Sequence, residues 1–231
     1  MKPSPMSLIW IIFIGSVLLS YIVQVNLNHK FKKFSKIPLA GGMTGRDVAE
    51  KMLRDNGIYD VQVTCVRGHL TDHYNPVTHT VNLSSDVYSS CSVAAAAVAA
   101  HECGHAVQHA TAYAPLKMRS ALVPVVSFSS QWVEWILFIG IMVIERFPIV
   151  MLAGIALFAL GTLCSFITLP VEINASKRAL VWLDKSGITN SYNHRDAESA
   201  LRSAAYTYVV AALTSLAILV HYVMVYLGRR D

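Results

Sequence analysis

Three side chains between Ala99 and Ala110 have the types and the spacing that a zinc hydrolase needs. His101 and His105 are four residues apart, so on an α-helix they stand one turn apart on nearly the same face and can bind one ion. Glu102 lies about 100° round the helix from His101, where its carboxylate can take a proton from water that zinc has activated. The His-Glu-x-x-His pattern therefore predicts a metalloprotease site with Glu102 as general base.

The third zinc ligand must come from another part of the chain. His109 continues the same row of the helix, but two turns separate it from His101, too far for both to reach one zinc through bonds of about 2 Å. Polar candidates that a fold could bring near the motif are His69, Asp72, His73 and Glu172.

The surrounding sequence predicts that the motif lies well inside a helix. Ser92 is a good N-cap for the run Val93 to Ala110, which contains no proline and is dominated by alanine. Cys103 points about 200° away from His101 and is predicted to pack rather than to bind metal. The alternative interpretation is a buried helix whose histidines are satisfied by hydrogen bonds alone.

The composition indicates a membrane protein. Only 14% of the 231 residues are charged and the mean hydropathy is +0.46, values unlike those of a soluble protein. The first apolar stretch lacks a cleavage pattern and is interpreted as a retained anchor, and the second and third are predicted to form a hairpin around Glu145 to Pro148. The four predicted spans are Ser7 to Val25, Ala121 to Ile144, Ile149 to Val171 and Tyr206 to Leu227.

Charge and cysteine content favour a cytoplasmic catalytic region. The cluster from Lys30 to Lys36 directly follows the first span, as on the cytoplasmic side of membrane proteins. Its position directly beside a span accounts for the cluster, so no nucleic-acid partner is expected. The four cysteines form no Cys-x-x-Cys pair and suit a reducing compartment.

The polar segments predict a small α+β region. Thr44 can cap a helix from Gly45 to about Asn56. The alternating segments Tyr59 to Val66 and Val77 to Leu83 are predicted to pair as an antiparallel hairpin beside the motif helix, with a free edge on which an extended peptide could add. Pro170 is predicted to close the third span, and Glu172 to lie in the first turn of a new helix.

These elements predict a mainly α membrane protein with about four transmembrane helices and a small α+β zincin-like catalytic region. The predicted division is an anchor in residues 1–28, a catalytic region in 29–120 and a transmembrane hairpin in 121–171. Residues 172–205 are predicted to carry the third ligand on a helix followed by a loop, and residues 206–231 to form the last transmembrane helix.

Several motifs together resemble the YugP-type neutral zinc metallopeptidases of bacterial membranes. They are the stretch from Ala99 to His109, the segment Tyr113 to Leu116, the sequence Glu172-Ile173-Asn174-Ala175-Ser176 and the loop from Gly68 to Tyr74. The resemblance implies a gluzincin arrangement, related in plan to the HtpX-type proteases, with His101, His105 and Glu172 as ligands of Zn²⁺ and Glu102 as base. Ser176 stands where HtpX-type proteins carry an aspartate, which leaves open what orients a ligand histidine.

The predicted function is that of an integral membrane zinc endopeptidase acting on peptide or protein substrates at the bilayer. The alternative is a membrane protein that binds or transports zinc without hydrolysis. A transport site should lie within a span, whereas the motif helix is flanked by a polar hairpin and by Lys117 and Arg119. The sequence does not specify the substrate, the oligomeric state or the oxyanion donor, for which Tyr74, His73, Tyr206 and Tyr208 are candidates.

Overall fold

The computed structural model describes residues 5–228, with side chains from residue 10 onward. The outer ends of the predicted anchor and of the predicted last segment, residues 1–4 and 229–231, therefore lie outside the described residues. Seven helices and three strands follow in the order α1 (Pro5–Phe34), α2 (Gly45–Asp55), β1 (Gln62–Val66), β2 (His73–Asn75), β3 (Thr80–Ser84), α3 (Ser85–Tyr88), α4 (Val93–Ala110), α5 (Ala114–Met142), α6 (Pro148–Lys185) and α7 (His194–Gly228).

Four helices are long and apolar enough to cross a membrane, which confirms the prediction of a mainly α membrane protein with four spans and a small α+β region. Each helix begins before the apolar stretch that predicted it, and all but α5 also end after it. In α1 the helix continues through Lys30, Lys32 and Lys33 to Phe34, because hydropathy marks the lipid-facing part of a helix and not its hydrogen-bonded ends. The four candidate spans are Trp10–Phe34, Ala114–Met142, Pro148–Lys185 and His194–Gly228.

The prediction that Pro170 closes the third span is wrong. α6 runs without a break from Pro148 through Pro170 to Lys185. A proline removes one backbone N–H, and helices that enter a membrane tolerate this because their neighbours compensate for the freed carbonyl. Glu172 therefore lies in the interior of a long helix and not in the first turn of a new one.

The predicted pairing of the two strand segments is also wrong. The sheet has the order β1-β3-β2, with β1 parallel to β3 and β2 antiparallel to β3. The segment between the two predicted strands contains β2, and Asn75 Oδ1 accepts hydrogen bonds from the backbone N–H groups of Val77 and Thr78 to make the turn into β3. Because an extra strand lies between them in sequence, β1 and β3 point the same way.

By its internal contacts the chain divides into two compact units. One consists of Val23–Leu116 and Pro170–Tyr206, and the other of Met1–Ile22, Lys117–Leu169 and Thr207–Asp231. In the first unit, α2 packs on α4 through buried Val48, Ala49 and Met52, and the small alanines of α4 permit a close approach of the two backbones. The sheet covers the same core with Val81 and Leu83.

The capping residue of α2 and the packing of Cys103 on α4 agree with the sequence-based predictions. Thr44 and Asp47 form a capping box at the start of α2, which ends at Asp55. Cys103 is fully buried in the core with its sulfur 3.5 Å from the carbonyl oxygen of Ala49, so its predicted packing role is confirmed.

The second unit is built by the apolar parts of the long helices. Val133 and Leu137 on α5 pack against Met151 and Ile155 on α6. Gly140 makes this approach possible, since a Cβ there would lie 2.8 Å from the Cα of Met151.

Candidate metal centre

Helix α4 presents the two histidines of the motif side by side. Its N-terminus is fixed by Ser92, whose hydroxyl accepts a hydrogen bond of 3.2 Å from the backbone N–H of Ala95. His101 and His105 follow on one face, with ring centroids 4.9 Å apart and ring planes at 84°. The predicted helix bounds, Val93 to Ala110, agree with the structure.

Glu172 on α6 meets both rings. Its Oε2 lies 3.2 Å from Nε2 of His101 and 3.5 Å from Nε2 of His105. The three side chains are 15%, 10% and 4% exposed in the order His101, His105, Glu172. Within residues 10–228 they form the one group of three such side chains whose ligand atoms all lie within 4.8 Å of one another.

The spacing of these atoms fits zinc. Tetrahedral bonds of about 2.0–2.1 Å place two ligand atoms about 3.3 Å apart, and the two observed separations from Oε2 of Glu172 are 3.2 and 3.5 Å. Two imidazoles and one carboxylate are also the protein ligands of known catalytic zinc sites, which keep a fourth position for water or substrate. The donor set is therefore that of a catalytic rather than a structural site.

Glu102 is close to this group without belonging to it. Its side chain is nearly buried, and its Oε2 accepts a hydrogen bond of 3.0 Å from the backbone N–H of Tyr74. Tyr74 is the middle residue of β2, an edge strand of the sheet. The motif's carboxylate is thus held by the backbone of that strand.

The surroundings of His105 raise the pKa of its imidazole. Burial lowers the pKa of this imidazole, but the hydrogen bond to Glu172 and the nearby carboxylate of Glu102 raise the pKa more, so that it ends above its ordinary value. A metal ion that binds Nε2 competes with a proton for the same lone pair.

The outer nitrogens of the two rings have different partners. Nδ1 of His101 lies 3.0 Å from Oγ of Ser176, and Nδ1 of His105 lies 3.0 Å from Oε1 of Gln108. Serine thus occupies the position behind His101 that the sequence left open. Sequence reasoning missed Gln108, although its place three residues after His105 puts it within reach on the same helix.

Sequence reasoning also missed Gly104, which permits α4 and α6 to touch. A Cβ on Gly104 would lie 2.6 Å from the carbonyl oxygen of Ala175 on α6. The signal in the sequence is a glycine inside a helix of alanines, where glycine is otherwise unfavourable.

The comparison with known proteins decides the family. Residues 9–227 match the family described as "putative neutral zinc metallopeptidase". The chain belongs to this family. It is also 42% identical over 218 residues to the "Putative membrane protease YugP" of Bacillus subtilis (strain 168), an alignment that covers 94% of this chain and 96% of that protein. No solved structure matches the chain.

In this member of the family the other polar candidates for a third ligand have different partners. His109 lies 3.0 Å from the hydroxyl of Tyr74, and His69 pairs with Asp86 at 2.8 Å. Asp72 accepts hydrogen bonds from the backbone N–H and hydroxyl of Ser84. His73 lies 2.8 Å from the carbonyl oxygen of Thr71.

Proposed function

We propose that the protein is an integral membrane zinc endopeptidase in which His101, His105 and Glu172 bind Zn²⁺ and Glu102 is the general base. The observation that carries this proposal is the convergence of Nε2 of both histidines on Oε2 of Glu172 at tetrahedral spacing. The family and the relative described as a membrane protease support the same reaction class.

Zinc, when bound by these residues, supplies a Lewis acid that activates water and polarises the peptide carbonyl. Glu102 takes the proton of the attacking water and then gives a proton to the leaving amine. The N–H of Tyr74 holds Oε2 of Glu102, which leaves Oε1 as the oxygen available for these transfers. The fixed carboxylate needs no reorientation before it accepts a proton.

Strand β2 offers a place for the substrate. One of its edges pairs with β3, and the backbone N–H of Tyr74 points from the other edge to Glu102. An extended peptide lying along that outer edge would bring its backbone beside the general base, and it would pair through edge groups other than the N–H of Tyr74, which is already donated to Glu102. Such pairing uses main-chain hydrogen bonds and imposes little sequence preference.

The decisive experiment removes the carboxylate of Glu102 and keeps the size and shape of its side chain. We expect Glu102→Gln to retain zinc at wild-type stoichiometry and to lower hydrolysis by several orders of magnitude, because the amide cannot accept the proton. Metal content and cleavage of quenched fluorescent peptides by the purified full-length protein would measure both.

Glu50→Gln is the matched control, since Glu50 lies on α2 and pairs with Arg46 at the surface. It should behave as wild type in both assays. Equal cleavage by wild type and Glu102→Gln would disprove the role of Glu102. Zinc binding without cleavage of any peptide by wild type would favour the alternative of a zinc-binding or zinc-transport protein.

A further inference from the structure

Gln108 is a fully buried amide that contacts a ligand histidine and the ligand-bearing helix at once. Its Oε1 lies 3.0 Å from Nδ1 of His105, and its Nε2 donates to the carbonyl oxygen of Val171 at 2.8 Å and to Oδ1 of Asn174 at 3.0 Å. Val171 and Asn174 flank Glu172 on α6. The inference drawn from these contacts rests on the proposed zinc site.

The direction of every hydrogen bond in this group is fixed by its chemistry. The guanidinium of Arg178 can only donate, and its Nε lies 2.8 Å from Asn174, so the atom of Asn174 that faces it is the oxygen Oδ1. A backbone carbonyl such as that of Val171 can only accept. Both neighbours of the Gln108 amide nitrogen are therefore acceptors, and its two hydrogens are both used.

The same logic assigns the tautomer of His105. With Nε2 of Gln108 committed to α6, Oε1 faces His105 and can only accept. Nδ1 of His105 must then carry a hydrogen, which leaves the lone pair of Nε2 directed at Glu172 when the ring is neutral. This is the tautomer in which Nε2 can bind a metal.

His101 is held differently. Its Nδ1 faces the hydroxyl of Ser176, which can donate or accept and so imposes no tautomer. The two rings are thus not equivalent: Gln108 fixes the tautomer of His105, whereas Ser176 leaves that of His101 open.

We propose that Gln108 is a positioning residue that fixes the metal-binding tautomer of His105 and its register against Glu172. It acts before any metal is bound, because all its hydrogen bonds are made by protein groups alone. Its contribution is to zinc affinity and site geometry, and it takes no part in the proton transfers.

The test is a zinc competition titration of the purified full-length protein against a chelating dye. Gln108→Leu introduces an apolar side chain of similar size and removes all three hydrogen bonds. We expect it to weaken zinc binding about 10- to 100-fold, the usual cost of losing a group behind a metal ligand, and to cost more than Ser176→Ala. Gln62→Leu makes the same chemical change on the exposed end of β1 and should bind zinc as wild type.

Rescue separates positioning from general support of the fold. Gln108→Glu keeps the volume and an oxygen acceptor for Nδ1 of His105 but loses the two donors to Val171 and Asn174, so we expect a zinc affinity between those of wild type and Gln108→Leu. The absorption spectrum of the Co²⁺-loaded protein reports ligand geometry, so it should depart less from wild type in Gln108→Glu than in Gln108→Leu. If Gln108→Leu fails to fold, Gln108→Glu alone carries the test.

Two outcomes overturn the inference without touching the proposed function. One is wild-type zinc affinity and cobalt spectrum in Gln108→Leu. The other is a folded Gln108→Glu that binds zinc no better than His105→Ala. A wild-type protein that does not bind zinc at all would instead overturn the proposed function, and Gln108 with it.

Discussion

His101 and His105 present the same atom to Glu172 but are backed by different groups, a hydroxyl and an amide. The pattern of the motif predicted that His101 and His105 share one face, because the i, i+4 spacing on a helix fixes it. It did not predict Gln108, Ser176 or Asn174 as supports. Those roles depend on which part of α6 packs against α4, and that is decided by tertiary contacts rather than by spacing within one helix.

At the same scale, Glu172 should be indispensable for binding. It is the one carboxylate within reach of both imidazoles among residues 10–228, and it lies buried between them. We expect Glu172→Ala to bind zinc at least 100-fold more weakly and to lose hydrolysis while the protein still inserts into membranes, since a catalytic zinc needs three protein ligands.

Asp184→Ala, on the exposed surface of the same helix, is the control and should keep wild-type zinc affinity. Metal analysis after membrane extraction measures both variants. Wild-type zinc affinity in Glu172→Ala would exclude this ligand and return attention to Asp72 and His73.

At the scale of elements, the helices were predicted better than their connections. The bounds of α2 and α4 follow from their N-caps, from the amphipathic pattern of α2 and from the alanine content of α4. All of these signals come from neighbouring residues in the sequence. The sheet was mispredicted because β2 has only three residues, His73 to Asn75, too few to show an alternating pattern. The continuity of α6 through Pro170 was missed because proline ends helices more often in water than in membranes.

The contact of α4 with α6 leads to a prediction at this scale. Gly104→Ala would place a Cβ 2.6 Å from the carbonyl oxygen of Ala175, so the two helices must separate. We expect a destabilisation of about 1–3 kcal/mol, typical of overpacking, together with weaker zinc binding because Glu172 moves with α6. Thermal unfolding and zinc titration measure the two effects.

Gly41→Ala is the matched control, since a Cβ there meets no atom within 4 Å. Adding Ala175→Gly should not rescue Gly104→Ala, because the close atoms of Ala175 belong to its main chain. Full rescue by that second change would show that the contact is between side chains and that α4 and α6 are not held at this distance by their backbones.

At the scale of the whole molecule, the structure supplies two built-in probes of orientation. Cys65 and Cys91 are exposed, whereas Cys103 and Cys164 are buried. Both exposed thiols belong to the unit that carries the metal centre. A thiol reagent that cannot cross membranes therefore reports the side of the membrane on which this unit lies.

We expect the catalytic unit to face the cytoplasm, because Lys30, Lys32 and Lys33 at the end of α1 and Lys177 and Lys185 near the end of α6 give it the positive charge typical of that side. An impermeant maleimide should leave Cys65 and Cys91 unlabelled in intact cells and should label both once the membrane is disrupted. A cysteine introduced as Glu145→Cys in a Cys65→Ser, Cys91→Ser background should show the opposite pattern, because one span separates the turn between α5 and α6 from Lys117. Labelling of Cys65 in intact cells would place the peptidase on the outer face, and the lysine clusters would then need another role, such as binding anionic lipid headgroups.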